Sequence, residues 1–254
     1  NQIIEADQGE IKINGEKLSP AHIRQIGYLP EERGLYKKMK VGDQLIYLGQ
    51  LRGLSKREAR ERGKAWCQKL EIMDWWGKKI EDLSKGMAQK IQFISTVMHE
   101  PSIIILDEPF SGFDPVNAEL IKDEILGLRD QGSTIIFSTH RMESVEQLCD
   151  HVAMINNSKK VLDGSKADIK ERNRDGSYSL EYKGEISSNG KFVVISTEDA
   201  PRGLKQSIIQ FSAEGNPNDL LKSLIDQVEI HSFVERIPSM NDIFISKVKG
   251  GRHE

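Results

Sequence analysis

Ile103-Ile104-Ile105-Leu106-Asp107-Glu108-Pro109 decides the fold. Four consecutive large apolar residues, three of them β-branched, suit a short strand covered on both sides, as at the centre of a parallel sheet. Two acids and a proline then end the strand, so its carboxyl end carries a pair of carboxylates. In open α/β sheets that edge is where ligands bind. An Asp so placed can hold magnesium, usually through water, and the acid after it can polarise an attacking water in phosphoryl transfer. A strand that merely meets solvent at two charged residues has the same local sequence, so the neighbouring segments must decide.

Upstream stands Leu83-Ser84-Lys85-Gly86-Met87, just before a stretch with apolar residues at helical spacing (Ile91, Ile94, Val97). A Ser there caps free backbone N–H groups, and the small Gly86 would let those groups approach an anion. Taken alone, the same residues make an ordinary helix cap. Downstream, Phe110-Ser111-Gly112-Phe113-Asp114-Pro115 reads as a turn ending in an acid. A second apolar run, residues 133–138, leads through Thr139 to His140, whose ring can donate to a phosphate oxygen.

The rest of the chain arranges itself around this segment. Asn14-Gly15 after residues 9–13 predicts a strand and tight turn, so the chain is expected to open inside a sheet. Residues 41–73 carry helical spacing broken near Gly53, the mark of a small helical insert spanning about residues 38–88. Strands and helices alternate from Ser84 onward, which argues a mostly parallel sheet with helices on its faces and puts both apolar runs at its centre. A helix at 142–149 and strands at 151–155 and 160–162 close this first domain, residues 1–165. Residues 166–254 read as a small α+β domain with strands at 178–182, 192–196, 207–211 and 228–234 and helices at 217–225 and 239–248. They contain no cluster of catalytic residue types.

A net charge of −3 with 30% charged residues describes an ordinary surface and marks no nucleic-acid partner. No apolar run approaches the roughly 18 residues needed to cross a bilayer, so a membrane role is expected to come through another protein rather than by direct insertion. Cys67 and Cys149 have no metal-ligand spacing.

The order Ser-x-Gly, strand-Asp-Glu-Pro, Ser-Gly-x-Asp-Pro, strand-Thr-His within residues 83–140 closely resembles the ATP-binding subunits of ABC transporters. The resemblance covers about residues 1–165. It implies a P-loop NTPase-like α/β fold with a helical insert, and an ATPase using ATP and Mg2+. Under it, residues 83–87 match the signature sequence, with Ser84, Lys85 and Gly86 contacting nucleotide. Asp107 matches the Walker B metal-binding acid and Glu108 the catalytic carboxylate. Residues 111–115 match the D-loop, with Asp114 near nucleotide, and His140 matches the switch histidine. Ile26-Gly27-Tyr28-Leu29-Pro30-Glu31 matches the loop that joins core to insert, senses the γ-phosphate and meets the transmembrane subunit.

The departures are equally specific. Where the family usually has Gln, this chain has Glu31, which can ligate magnesium but adds negative charge near a triphosphate. Lys85 stands for the usual second Gly of the signature, either compensating charge at the γ-phosphate or pointing to water, and Met87 stands for the usual Gln. No Gly-x-x-x-x-Gly-Lys-Ser/Thr string occurs, and that is the loop whose backbone and Lys wrap the phosphates. In the family that loop lies further upstream of Glu31 than the 30 residues found here, so the domain is expected to be N-terminally truncated, without Walker A and inactive alone.

The resemblance implies a head-to-tail dimer with a second ATP-binding subunit, docked on transmembrane subunits at the inner face of the cell membrane, in the cytoplasm. DNA-repair relatives insert a long coiled coil before the signature, whereas only residues 32–82 separate Glu31 from Leu83. Translation-factor relatives carry two cassettes, and one signature is present. The tail Pro238-Ser239-Met240-Asn241-Asp242-Ile243-Phe244 resembles the extension of sodium-extrusion and drug-exporter subunits. The alternative is a non-catalytic regulatory subunit that supplies only the signature half-site in trans.

Overall fold

Asn14 and Gly15 both take positive φ, 52° and 83°, as a two-residue hairpin turn requires, and fold β1 (Lys12–Ile13) onto β2 (Glu16–Lys17). The hairpin is a two-stranded sheet of its own, so the chain joins the parallel sheet only later. The computed structural model describes residues 6–32, 34–187, 192–211 and 217–250. It divides the chain into two compact units, residues 1–140 and 141–254.

In the first unit, α1 (Pro20–Ile23) leads into β3 (Ile26–Leu29), then the helices α2 (Val41–Leu51), α3 (Lys56–Lys69) and α4 (Lys85–Val97). There follow β4 (Ile103–Asp107), α5 (Pro115–Asp130) and β5 (Thr134–Ser138). Each long helix after Gly53 starts where the sequence supplies a cap. Ser55 and Glu58 form a reciprocal capping box, Ser84 Oγ accepts the Met87 N–H, and Asp114 accepts the Asn117 N–H ahead of Pro115.

The strands run parallel in the order β3-β4-β5. Ile104 and Leu106 are fully buried, and Leu29 of β3 nearly so. At about 1.5–3 kcal/mol for each such side chain, they and the inner face of α4 (Ile91, Ile94, Val97) form the cohesive centre of the unit. Gly27 permits the close approach of β3 to α4, since a Cβ there would lie 2.5 Å from the Thr96 carbonyl oxygen. The expectation that both apolar runs are central holds for β4 and fails for β5. That strand lies at the edge of the sheet and its Ile136 is 53% exposed.

The second unit begins with α6 (Met142–Leu148), the hairpin β6 (His151–Asn156) and β7 (Lys159–Ser165), and α7 (Lys166–Arg172). It continues through β8 (Ser177–Lys183), β9 (Phe192–Ala200), β10 (Leu204–Phe211), α8 (Pro217–Ile225), β11 (Glu229–Glu235) and α9 (Met240–Gly250). The last four strands form an antiparallel sheet in the order β11-β8-β10-β9, with Leu180, Phe192, Ile209, Leu220 and Leu224 at its core. A second cluster joins Val145 of α6 to Ile169 of α7 and to Met240 and Ile243 of α9. Those contacts are why the compact units divide after His140, earlier than the sequence-based boundary at 165. Among the described residues no helix is long and apolar enough to cross a membrane.

Candidate functional site

Parallel pairing of β4 with β5 sets Asp107 opposite Ser138, so Glu108 and the Thr139-His140 pair leave the sheet at one edge. Leu29 is opposite Leu106, so Pro30 and Glu31 leave β3 at that same edge. Asp107, Glu108, His140 and Glu31 therefore leave the sheet at one edge.

Two hydroxyls of β5's end hold the two acids. Ser138 Oγ donates to Asp107 Oδ1 over 2.6 Å, and Thr139 Oγ1 donates to Glu108 Oε2 over 3.1 Å. Glu108 Oε1 also accepts the His140 backbone N–H at 2.8 Å and pairs with His140 Nδ1 at 2.7 Å. A carboxylate only accepts, so Nδ1 carries the proton in this pair and Nε2 is the ring's other hydrogen-bonding atom. The Glu108 side chain is 15% exposed and that of His140 84% exposed, so the acid is held inside while the ring faces outward. Glu108 takes φ +44°, a left-handed conformation that costs a non-glycine residue of order 1–3 kcal/mol and is typical of functional sites.

A second cluster lies at the start of α4. Ser84 caps the helix at 3.3 Å from the Met87 nitrogen, and Lys85 and Gly86 form the first turn. This turn packs on residues 112–113. A Cβ on Gly86 would lie 3.2 Å from the Gly112 carbonyl oxygen, and a Cβ on Gly112, at φ +86°, would lie 2.8 Å from Lys85 Cε. The exposed Lys85 thus lays its stem over Gly112. Asp114, at the end of that turn, spends its carboxylate on the Asn117 backbone N–H (3.0 Å) and side-chain amide (2.5 Å). Those hydrogen bonds hold its pKa below the usual carboxylate value.

Glu31 lies exposed in a bend after β3. Among the described residues no group of three or more His, Cys, Asp and Glu side chains could hold a metal ion unaided. A magnesium ion needs only a few carboxylate oxygens, with water and phosphate completing its shell. The roles of Ser138 and Thr139 escaped the sequence reading. No local signal marks them, because their place depends on the register between β4 and β5.

Two separate stretches of the chain match known families. The ABC transporter family profile matches residues 1–111, and the profile for the C-terminal domain of DrrA1-3-like ATP-binding proteins matches residues 164–248. The chain is 40% identical over 261 positions to an uncharacterised ABC transporter ATP-binding protein of Alkalihalophilus pseudofirmus, covering 97% of this chain and 91% of that one. It is 30% identical over 170 positions to the linearmycin resistance ATP-binding protein LnrL of Bacillus subtilis, covering 66% of this chain and 55% of that one. A solved structure of an ATP-binding subunit of an ABC transporter superposes with a TM-score of 0.62 at 28% identity, over 67% of this chain and 72% of the other.

Proposed function

This chain belongs to the family of ABC transporter ATP-binding proteins, and on that premise we propose that its strand-edge cluster hydrolyses ATP to drive export. The single observation that carries the reading is the pair of acids held side by side, Asp107 by Ser138 and Glu108 by Thr139 and His140. Asp107, steadied at Oδ1 by Ser138, and Glu31 from the neighbouring strand end would hold magnesium. Bound magnesium supplies charge neutralisation at the β- and γ-phosphates. Glu108 orients the attacking water and takes its proton as the new bond to the γ-phosphorus forms and the bond from that phosphorus to the β–γ bridging oxygen breaks, with ADP as the leaving group. His140, oriented by Glu108, turns Nε2 toward the γ-phosphate and donates to it when both ring nitrogens carry a proton.

Ser84, Lys85 and Gly86 serve a second nucleotide, held by another ATP-binding subunit in a head-to-tail dimer. The Asp114 turn beneath Lys85 shapes that half-site. The 254 residues contain no phosphate-wrapping Gly-x-x-x-x-Gly-Lys-Ser/Thr string. Transmembrane subunits supply the path through the bilayer and hold this subunit at the cytoplasmic face. Export as the direction draws on the resistance function named for LnrL and on the DrrA1-3-like C-terminal match.

A second reading is a non-catalytic subunit that lends only its signature turn. Against it stands Glu108, kept at a costly backbone angle and gripped by three donors, which a subunit without hydrolysis has no use for. Phosphate release by the transporter assembled around this chain separates the two. Asp107→Asn abolishes its share of the release under the catalytic reading, and release untouched by the change leaves the non-catalytic one.

A further inference from the structure

Two buried glutamines on different helices grip the loop that carries Glu31. Gln92 of α4 is 3% exposed, and its Nε2 donates to the Pro30 carbonyl at 3.0 Å and the Glu32 carbonyl at 3.4 Å, one on each side of Glu31. Gln44 of α2 is 0% exposed, and its Oε1 accepts the Tyr36 N–H at 3.0 Å, further along the same loop. The partners fix how each amide is oriented, because only an NH2 suits two carbonyls and only an oxygen suits an N–H. One turn along α4, Thr96 Oγ1 reaches the Tyr28 carbonyl at 3.4 Å.

Each amide leaves its other polar atom buried with no partner among the described residues, Gln92 Oε1 and Gln44 Nε2. A buried polar atom without a partner is costly, and a Met or Leu of similar size would fill either site without that cost. Packing therefore does not account for these two amides. Their hold on the loop backbone does.

We propose that Gln92 and Gln44 are positioning residues that set where Glu31 stands relative to the metal and nucleotide, which rests on the reading of Glu31 given above. Their placement gives that grip a further consequence. The same α4 that holds Pro30 and Glu32 begins at Ser84-Lys85-Gly86, the turn assigned to the second subunit's nucleotide. A shift of α4 when that nucleotide binds moves the Glu31 loop of this chain, so Gln92 links the two nucleotide sites of a dimer.

Gln92→Met and Gln44→Met keep volume and remove the hydrogen bonds. Hydrogen exchange of the purified chain is the first measurement. Amides of residues 28, 29, 31, 32 and 34–36 exchange about five-fold faster in each variant, the net worth of one hydrogen bond, and the Tyr36 amide leads in Gln44→Met. The thermal midpoint stays at or above that of the parent chain, which a merely structural role would lower. Exchange unchanged in both variants overturns the proposal. The second measurement is the magnesium concentration for half-maximal phosphate release by the assembled transporter. It rises about five-fold in Gln92→Met with turnover at saturating magnesium retained.

Glu31→Ala, run beside it, separates the two ideas. If Glu31→Ala shifts the magnesium dependence and Gln92→Met does not, the clamp is structural and the proposal falls. If Glu31→Ala shifts nothing, the reading of Glu31 fails, and with it the positioning role, while the exchange data still report whether the loop is clamped. Should Gln92→Met not fold, Gln92→Asn, polar but one methylene shorter, releases the same carbonyls and carries the test.

Discussion

Ser138 stands directly across the parallel ladder from Asp107 and donates its hydroxyl to Asp107 Oδ1 at 2.6 Å. The bond leaves one carboxylate oxygen committed and the other pointing its lone pairs elsewhere. Ser138→Ala removes the restraint without touching the acid. A net hydrogen-bond contribution of about 1 kcal/mol then corresponds to a roughly five-fold rise in the magnesium needed for half-maximal phosphate release. Ser138 lies at the exposed end of an edge strand, so the thermal midpoint should barely move. A magnesium titration of the Ser138→Ala transporter checks both.

Glu108→Gln keeps the shape of the side chain and an oxygen to accept the His140 N–H, so the local fold survives. What it loses is the base. Turnover should fall by about two to four orders of magnitude, the usual worth of a positioned general base, while bound ATP accumulates uncleaved. Filter retention of labelled ATP alongside phosphate release shows whether binding and hydrolysis have separated.

Much of this site was legible from residue order alone, for a physical reason. Strand β4, the Ser84 and Asp114 caps and the Asn14-Gly15 turn depend on near neighbours, and each is where local chemistry put it. Ser138 and Thr139 matter through register, a non-local property that a pattern of apolar runs leaves open. The exposure of Ile136 has the same origin, because an edge strand and a central strand share one composition. Gln92 was hidden differently. In a helix, a polar residue among Ile91, Phe93 and Ile94 reads as the solvent face until the carbonyls of Pro30 and Glu32 are seen beneath it. The unit boundary near 140 was also out of reach, since it follows from Val145 and Ile169 meeting Met240 and Ile243, far along the chain.

Gly112 joins the two turns of the signature cluster. Its φ of +86° disfavours any side chain by about 1–2 kcal/mol, and an added Cβ would press on Lys85 Cε at 2.8 Å. Gly112→Ala should therefore lower stability by at least that amount. Lys85 is flexible, so Lys85→Ala in the same chain should recover the steric part and leave the backbone part. Urea denaturation of the two single variants and the double variant measures the coupling, and strict additivity would mean the stem of Lys85 does not rest on Gly112 in solution.

His99 follows α4 and gives the first unit a pH dependence of definite sign. Both ring nitrogens are buried without a hydrogen-bond partner among the described residues. Burial first, then the nearby Arg52 charge, push its pKa from 6.5 down to about 4; the Ile26 backbone pulls weakly the other way, close by but short of good hydrogen-bond geometry. Between those two values the unfolded chain binds the proton and the folded chain does not. The stability His99 confers as a neutral ring is thus complete above pH 6.5 and drains away as pH falls toward about 4. The Asp114 and Asp242 carboxyls are held below the ordinary aspartate range, so their losses belong to still more acidic solution. His99→Leu removes the titrating group while keeping an apolar side chain in the same space. Urea midpoints taken from neutral pH down to about 4.5 should slope downward for the parent chain and flatten for His99→Leu. Equal slopes would place the ring in contact with water in the folded protein.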